Sequence, residues 1–261
     1  MNAGLEIPPQ EVSRVIDESS RLPNSGRDMN LIAIFLCDIT GKMAEPWVAA
    51  GYDVLLVDPQ HPEGIHTEGQ ITRIGNIIID CTAYLGALIR TGRVCFVMGF
   101  PPCTDVAVSG SRWFAAKAAK DKHFQAKAAL VAEQCRMVGK LSGGEWAFEN
   151  PVSVFSSIFG KPDYTFSPDK FTGLCANDNY TKMTCLWASD GFVMPEELKD
   201  ETLGPPDDRI HKCPPGPERA NFRSATPLGF AKAVFLANAP HLKMPANDNE
   251  LPYANGSPAA A

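Results

Sequence analysis

Residues 30–38 read NLIAIFLCD, an unbroken apolar run that stops at an aspartate. A strand with one face in water alternates apolar and polar residues, so a continuous run indicates a strand buried on both faces. Strands of that kind belong to parallel sheets that helices cover on both sides. The stretch therefore predicts the centre of a parallel sheet.

Strand-like and helical stretches alternate after this run. Further strands are predicted at DVLLVD (53–58), NIIID (76–80), VCFVMGF (94–100), EWAFENP (145–151) and TKMTCLWAS (181–189). Helices are predicted at MAEPWVAAGY (43–52), AYLGALIRTG (83–92), 113–141 and TPLGFAKAVFLANA (226–239). This alternation predicts an α/β fold with a Rossmann-like, doubly wound, mainly parallel sheet. Residues 30–243 would form it, between a polar lead-in at 1–29 and a flexible tail at 244–261.

Composition excludes several classes of protein. No apolar run approaches the roughly 20 residues of a membrane span, and the first residues lack the pattern of a signal peptide, so we expect a cytoplasmic protein without a membrane partner. The eight cysteines form no C-x-x-C pair, so we expect reduced thiols and no metal site. The net charge of -6 argues against bulk electrostatic adhesion to nucleic acid, although a local basic surface remains open.

Chemically capable side chains follow the predicted strands. Ligands of such sheets gather at the carboxyl ends of the strands. The residues at or just after those ends are Asp38, Asp58, Asp80, Cys103 and Glu149. We expect them to share one edge of the sheet, although an aspartate there can equally cap a helix or form a turn.

The segment GFPPCTD (99–105) encloses one of these residues, Cys103, in a rigid frame. Pro101 and Pro102 restrict the backbone and remove two donors. A thiol that only packs needs no such frame, whereas a nucleophile must be aimed. The remaining alternative is a buried structural thiol, which is how we interpret Cys37, Cys95 and Cys185 inside their apolar runs.

GFPPCTD and the later WAFENPVS (146–153) together resemble the cytosine carbon-5 DNA methyltransferases, in which a Pro-Cys and a Glu-Asn follow neighbouring strands. The opening segment 34–58 is similar to the part of that family that binds S-adenosylmethionine. Residues 161–173, 180–187 and 223–239 look like its compact phage and bacterial members, which lack a full target-recognition domain. The resemblance covers roughly residues 31–239.

The resemblance implies a role for each catalytic candidate. Cys103 would add to carbon 6 of cytosine as a thiolate, which makes carbon 5 reactive towards an electrophilic methyl group. Glu149 would grip ring nitrogen 3 and the amino group, with Asn150 and Pro102 fixing the two segments, and Lys182 would lie near the cytosine. We expect a helix amino end and Arg112 to lower the pKa of the thiol.

The cofactor implied by the resemblance is S-adenosylmethionine, held by the turn Asp38, Ile39, Thr40 and Gly41, and by Pro101, Asp58 and Asp80. The family has glycines where Asp38 and Thr40 stand. Asp38 would bind the cofactor's ammonium group, or else the side chains would crowd the pocket. Asp58 would meet the ribose hydroxyls and Asp80 the adenine amino group.

DNA is the partner that the resemblance implies, and Ser109, Arg112, Lys117 and Lys120 after the cysteine would contact it. The charged residues among them fit an ordinary solvated helix face equally well. Only residues 189–222 stand where the family has a recognition domain, which is too short for a core of its own. We therefore expect low sequence specificity, on double-stranded or single-stranded DNA.

Two alternatives remain open from the sequence. One is an enzyme that keeps the thiol chemistry but modifies a free cytosine nucleotide or uses a different electrophile. The other is a catalytically inactive homologue that binds the cofactor or DNA; the altered glycine turn favours it, and the pairing of Cys103 with Glu149 speaks against it. Glu149 alone also fits a helix-capping carboxylate.

Overall fold

The computed structural model describes residues 30–240, apart from Pro215, Pro217 and Glu218. In that part of the chain the strands are β1 (Ile32–Leu36), β2 (Asp53–Val57), β3 (Gly64–Glu68), β4 (Ile71–Gly75), β5 (Val94–Gly99), β6 (Glu145–Pro151), β7 (Tyr164–Phe166) and β8 (Thr184–Ala188). They form a single sheet with the order β3-β4-β2-β1-β5-β6-β8-β7. The lead-in and the tail predicted at 1–29 and 244–261 lie outside the described residues.

The helices that accompany this sheet are α1 (Glu45–Ala49), α2 (Thr82–Arg90), α3 (Phe114–Lys120), α4 (Phe124–Ser142), α5 (Phe155–Ile158), α6 (Arg209–Lys212), α7 (Arg219–Ser224) and α8 (Leu228–Asn238). Short 3-10 helices lie at Ile78–Cys81, Val108–Trp113, Pro168–Phe171 and Ala176–Asp178. Strands and helices thus alternate along the chain, as the sequence predicts.

The centre of the sheet is parallel. β4, β2, β1, β5 and β6 run in one direction as successive neighbours. β3 pairs antiparallel with β4, and β8 pairs antiparallel with both β6 and β7. The predicted α/β class with a mainly parallel, Rossmann-like sheet is confirmed. The strand predicted at 181–189 exists as β8. It runs antiparallel to β6, which the sequence did not indicate.

Two separate apolar cores cover the two faces of the sheet. On one face Leu85 of α2 and Val138 of α4 pack against strand residues such as Val97 and Phe148. On the other face Trp47 of α1 and Val234 of α8 belong to a second core with Phe96. β1 contributes to both, because all five of its residues are buried. The uninterrupted apolar run in the sequence follows from this double covering.

Two element predictions are wrong. The third predicted strand, NIIID at 76–80, is not a strand; the residues before it form β4 (Ile71–Gly75), which is paired in a hairpin with β3. Ile77 and Ile79 are exposed while Ile78 is buried, so this apolar run forms a 3-10 turn that buries one side. The long helix predicted at 113–141 is broken, because the Asp121 carboxylate accepts a hydrogen bond from the His123 N–H in a turn between α3 and α4.

The segment 189–222 has no strand among its described residues and folds back onto the sheet domain. The Leu198 carbonyl accepts a hydrogen bond from Gly173 N–H at 2.7 Å, and Tyr180 forms a bridge with Asp207. Asn238 of α8 holds the start of the segment through both backbone groups of Val193. The segment, which includes α6 and the start of α7, therefore lies on the sheet domain, and we call residues 189–222 the strap.

Close packing of α4 on β6 yields a stability prediction. A β-carbon added at Gly139 would lie 2.5 Å from Cβ and Cγ of Trp146, whereas one added at Gly86 of α2 meets only the end of the Arg90 side chain, at 3.5 Å. We expect Gly139→Ala to lower the free energy of unfolding by about 1–3 kcal/mol. Gly86→Ala should raise it by about 0.5–1 kcal/mol because alanine favours a helix interior. Urea unfolding measures both, and equal midpoints would contradict the packing of α4 on β6.

Candidate active site

The carboxyl ends of β1 and β5 mark the point where the chain turns to opposite sides of the sheet. After β1 it continues to β2 and β4, and after β5 it continues to β6. Such a switch point opens a crevice in which ligands bind. Gly99 is in register with Leu36, and Phe100 N–H donates to the Leu36 carbonyl at 2.9 Å. The loops carrying Asp38 and Cys103 therefore start side by side.

The loop that carries Cys103 is fixed by its own turn and by α3. The Cys103 carbonyl accepts hydrogen bonds from Val106 N–H at 3.1 Å and Ala107 N–H at 2.9 Å. Lys117 Nζ donates to the Thr104 carbonyl at 2.7 Å and pairs with Asp105 Oδ1 at 2.6 Å. The thiol is half-buried in this frame, so it is held in place and still accessible.

The end of β6 is bonded directly to the cysteine loop. Asn150, which is buried, donates from Nδ2 to the carbonyl oxygen of Pro101 at 2.9 Å. Val108 N–H donates to the Val152 carbonyl at 2.9 Å, and Val154 N–H donates to the Val106 carbonyl at 3.1 Å. The structure thus brings the Pro-Cys and Glu-Asn segments together, as predicted from the sequence.

Glu149 occupies a position that favours its neutral form. Burial raises the pKa of its carboxyl above the ordinary value, and nearby Lys182 offsets only part of this effect. Its Oε2 atom is buried and has no hydrogen-bond partner among the described residues. Glu149 can therefore hold a proton and donate it to a ligand. The alternative that it caps a helix is not what the structure shows, because it lies inside β6 opposite Leu186 of β8.

The thiol of Cys103 is surrounded by opposing charges. Burial raises its pKa and the Glu149 carboxyl raises it further, while Lys182 and Arg223 lower it. Arg112, which we expected to lower this pKa, is exposed and its guanidinium lies over the Trp113 ring, 5.3 Å from the centroid; the cations that lower the pKa are Lys182 and Arg223. Lys182, which the resemblance would place near the cytosine, is close enough to the thiol to lower its pKa. The proximity of Arg223 to the thiol was not expected from the sequence, because no local pattern links α7 to the cysteine loop.

Unsatisfied polar atoms concentrate here. Of the six buried side-chain atoms without a hydrogen-bond partner in the described part of the chain, four belong to this region: Asp38 Oδ2, Glu149 Oε2, Asn150 Oδ1 and Arg223 Nε. Each costs about 1–3 kcal/mol when left unpaired. Native proteins keep such atoms rarely and for a reason. A polar ligand that pairs with them is the reason that fits their clustering.

Asp38 forms a tight turn with the residues that follow it. Its Oδ1 accepts from Thr40 N–H at 2.9 Å, from the Thr40 hydroxyl at 3.0 Å and from Gly41 N–H at 2.8 Å. Gly41 has φ +64°, a conformation in which glycine is favoured. The Asp38 side chain is therefore folded onto its own turn. Burial raises its pKa, and Asp58 adds to the effect.

Asp58 and His61 line the next strand end. Asp58 is buried directly after β2, and its Oδ1 accepts from Gln60 N–H at 2.8 Å. His61 is buried and its Nε2 donates to the Asp38 carbonyl at 3.0 Å, which ties the two turns together. Sequence analysis missed His61, since a single histidine after a turn carries no signal. Ile39 is half-buried within the Asp38 turn.

The remaining predicted site residues differ from one another in burial and in their contacts. Asp80 does not end a strand: it is half-buried in the 3-10 helix Ile78–Cys81, beyond the carboxyl end of β4. Ser109, Arg112 and Lys120 are exposed on the segment after the cysteine. Lys117 forms an ion pair with Asp105, so it stabilises the loop that carries Cys103. Pro101 is buried beneath the thiol loop and Pro102 is exposed on it.

Membrane-spanning helices and metal clusters are both absent from the described residues. Over the described ranges, no helix is both long and apolar enough to cross a membrane. Within the same residues, no group of three or more histidine, cysteine, aspartate or glutamate side chains is placed to hold a metal ion.

The charges around Cys103 predict opposite effects on its reactivity. Arg223→Gln removes a cation that lowers the thiol pKa, so alkylation of Cys103 by iodoacetamide near pH 7.5 should slow by about twofold to tenfold. Glu149→Gln removes a carboxyl that raises the thiol pKa only while it is ionised, so alkylation should become faster above the pKa of Glu149 and stay unchanged below it. Peptide mass spectrometry resolves Cys103 from the other thiols, and Arg219→Gln on the same helix is the matched control. The same rate in all four proteins would contradict the charge arrangement.

Comparison with known proteins does not assign the chain to a family: no family model and no curated protein matches the sequence. The function must be inferred from what this edge of the sheet holds together. It holds an accessible thiol, a carboxyl that favours its neutral form, two cations and a cluster of unpartnered polar atoms.

Proposed function

We propose that the protein transfers a methyl group from S-adenosylmethionine to carbon 5 of cytosine in DNA through a covalent adduct on Cys103. The observation that carries this proposal is the convergence of Cys103 with Glu149, whose raised pKa and unpartnered oxygen suit it to donate a proton. A protein that only binds has no use for this pair. The resemblance of both segments to the cytosine carbon-5 methyltransferases supports the same conclusion.

The addition step uses both side chains at once. Cys103, after losing its proton, forms a bond from Sγ to carbon 6 of the ring. Glu149 gives its proton to ring nitrogen 3 and so neutralises the charge that the addition places on the ring. The carbon 5 formed in this way is enamine-like and nucleophilic.

The release step reverses these bonds. After carbon 5 has gained the methyl group, it loses its proton to a base. The bond between Sγ and carbon 6 then breaks and returns the thiolate, while nitrogen 3 returns its proton to Glu149. Lys182 and Arg223 stabilise the thiolate at both ends of the cycle, because both lower the pKa of Cys103. Asn150 keeps the two segments aligned through its bond to Pro101.

The residues at the ends of β1 and β2 fit the cofactor. S-adenosylmethionine supplies, when bound, an electrophilic methyl group on a sulfonium. The unpartnered Asp38 Oδ2 fits its ammonium group, and buried Asp58 fits the ribose hydroxyls. Ile39, Thr40 and Gly41 form the turn against which the cofactor would lie, and Pro101 borders it from β5. Asp80, in the 3-10 helix beyond β4, would be the contact to the adenine amino group.

A substrate analogue tests the covalent step. DNA that contains 5-fluorocytosine should form a protein–DNA adduct that survives denaturation when S-adenosylmethionine is present, because fluorine replaces the proton that must leave carbon 5. Denaturing gels and mass spectrometry of the Cys103 peptide detect it. Cys103→Ser should form no adduct and should methylate ordinary DNA at least about a thousandfold more slowly.

The matched control for that experiment is Cys213→Ser, a half-buried thiol outside the site. Labelled methyl transfer into DNA and into dCMP, run in parallel, identifies the substrate. Transfer into DNA without an adduct would overturn the thiol mechanism. Transfer into dCMP alone would establish the alternative, a nucleotide-modifying enzyme, and transfer into neither would overturn both.

The Asp38 turn generates a prediction on cofactor binding. Asp38→Asn keeps an oxygen for the bonds to Thr40 and Gly41 but replaces the unpartnered oxygen by an NH₂ group, which repels an ammonium. We expect affinity for S-adenosylmethionine to fall by about tenfold or more in calorimetric titration. Asp163→Asn, a turn aspartate that accepts from Ala188 N–H, is the control and should bind normally. Unchanged affinity in Asp38→Asn would contradict the assigned role.

A further inference from the structure

Three large apolar side chains are exposed beside Cys103 and Glu149. They are Val108, Val152 and Met183, with exposed fractions of 49%, 50% and 57%. We call these three residues the apolar rim. Val108 belongs to the segment after the cysteine, Val152 follows Glu149 by three residues, and Met183 adjoins Lys182.

Backbone pairing makes the rim continuous. Val108 N–H donates to the Val152 carbonyl at 2.9 Å. Pro151 of β6 and Thr184 of β8 are the last pair of their antiparallel ladder, and Val152 and Met183 are the residues that adjoin this pair. Single exposed apolar residues need no explanation, but a contiguous set at the mouth of a polar site marks a surface that binds something.

The charges around the rim do not suit a duplex. Proteins that insert apolar side chains into double-stranded DNA recover the cost of unstacking through many phosphate contacts. Here Lys117 is paired with Asp105, and the strap at 189–222 is acidic in its first half. The net charge of -6 points the same way. Contacts to base faces must therefore supply a large share of the affinity.

We propose that the apolar rim binds unstacked bases of single-stranded DNA next to the target cytosine. The inference rests on the proposed function, which places the cytosine between Cys103 and Glu149. In a single strand the base faces are free, so they can cover the rim without first leaving a duplex. Exposed Trp113, with Arg112 over its ring, extends this surface along the same segment. Aromatic and cationic groups of that kind stack on bases with little regard to sequence.

Binding measured without catalysis tests the rim. Fluorescence anisotropy with the Cys103→Ser protein compares a cytosine-containing single strand, its duplex and dCMP. We expect the single strand to bind most tightly. Adding Met183→Gln should weaken single-strand binding by about fivefold to tenfold, because the substitution keeps the length of the side chain but makes it polar. Leu130→Gln on α4 is the matched control, since Leu130 is also 57% exposed and lies on a different element.

The outcomes separate the rim from the chemistry. Any of three outcomes would overturn the proposed role of the rim. The duplex or dCMP could bind as tightly as the single strand, or Met183→Gln and Leu130→Gln could have equal effects. Rim-dependent binding together with failure of the 5-fluorocytosine adduct would support the rim and overturn the covalent mechanism. If adducts form equally fast on duplex and single strand, the covalent mechanism is supported and the proposed role of the rim is overturned.

Discussion

The bond from Asn150 Nδ2 to the Pro101 carbonyl is the contact on which the site depends. It joins the loops that leave β5 and β6, two neighbouring parallel strands. Parallel pairing brings the strand ends to one edge, but it does not fix the loops beyond them. The buried amide does, because a bond shielded from water is strong and costly to leave unmade. The backbone bonds between 106–108 and 152–154 then keep the thiol loop against the Glu149 strand.

Burial acts in opposite directions on the two central groups. It raises the pKa of both Cys103 and Glu149. For the carboxyl this is useful, since a neutral acid can donate a proton, whereas for the thiol it disfavours the reactive anion. Lys182 and Arg223 offset the effect on the thiol. These cations come from Lys182, which precedes β8, and from Arg223 of α7. Elements that are distant in sequence therefore contribute to the same edge of the sheet.

The sequence predicts what local patterns encode. Both-face burial of β1 is visible in its unbroken apolar run, and the Pro-Cys and Glu-Asn segments are visible at the ends of β5 and β6. β4 was misplaced because its own pattern, ITRIG, is half-polar near the edge of the sheet, while the stronger apolar run after it forms a 3-10 turn. Arg223 and His61 could not be found in this way, since their roles arise from contacts that only the folded chain creates.

The Asp38 side chain stabilises the turn that follows β1. A glycine-rich turn leaves room for a ligand by having no side chain, whereas this aspartate folds back and uses Oδ1 to hold its own turn. The second oxygen, Oδ2, is buried and has no hydrogen-bond partner among the described residues. Because Leu36 and Gly99 are in register on adjacent strands, Asp38 and Pro101 each lie two residues past a shared edge. Neighbouring strands are about 4.8 Å apart, so a group held by the Asp38 turn lies next to the loop that aims Cys103. The proposed methyl transfer would require that closeness, and the register of β1 with β5 supplies it.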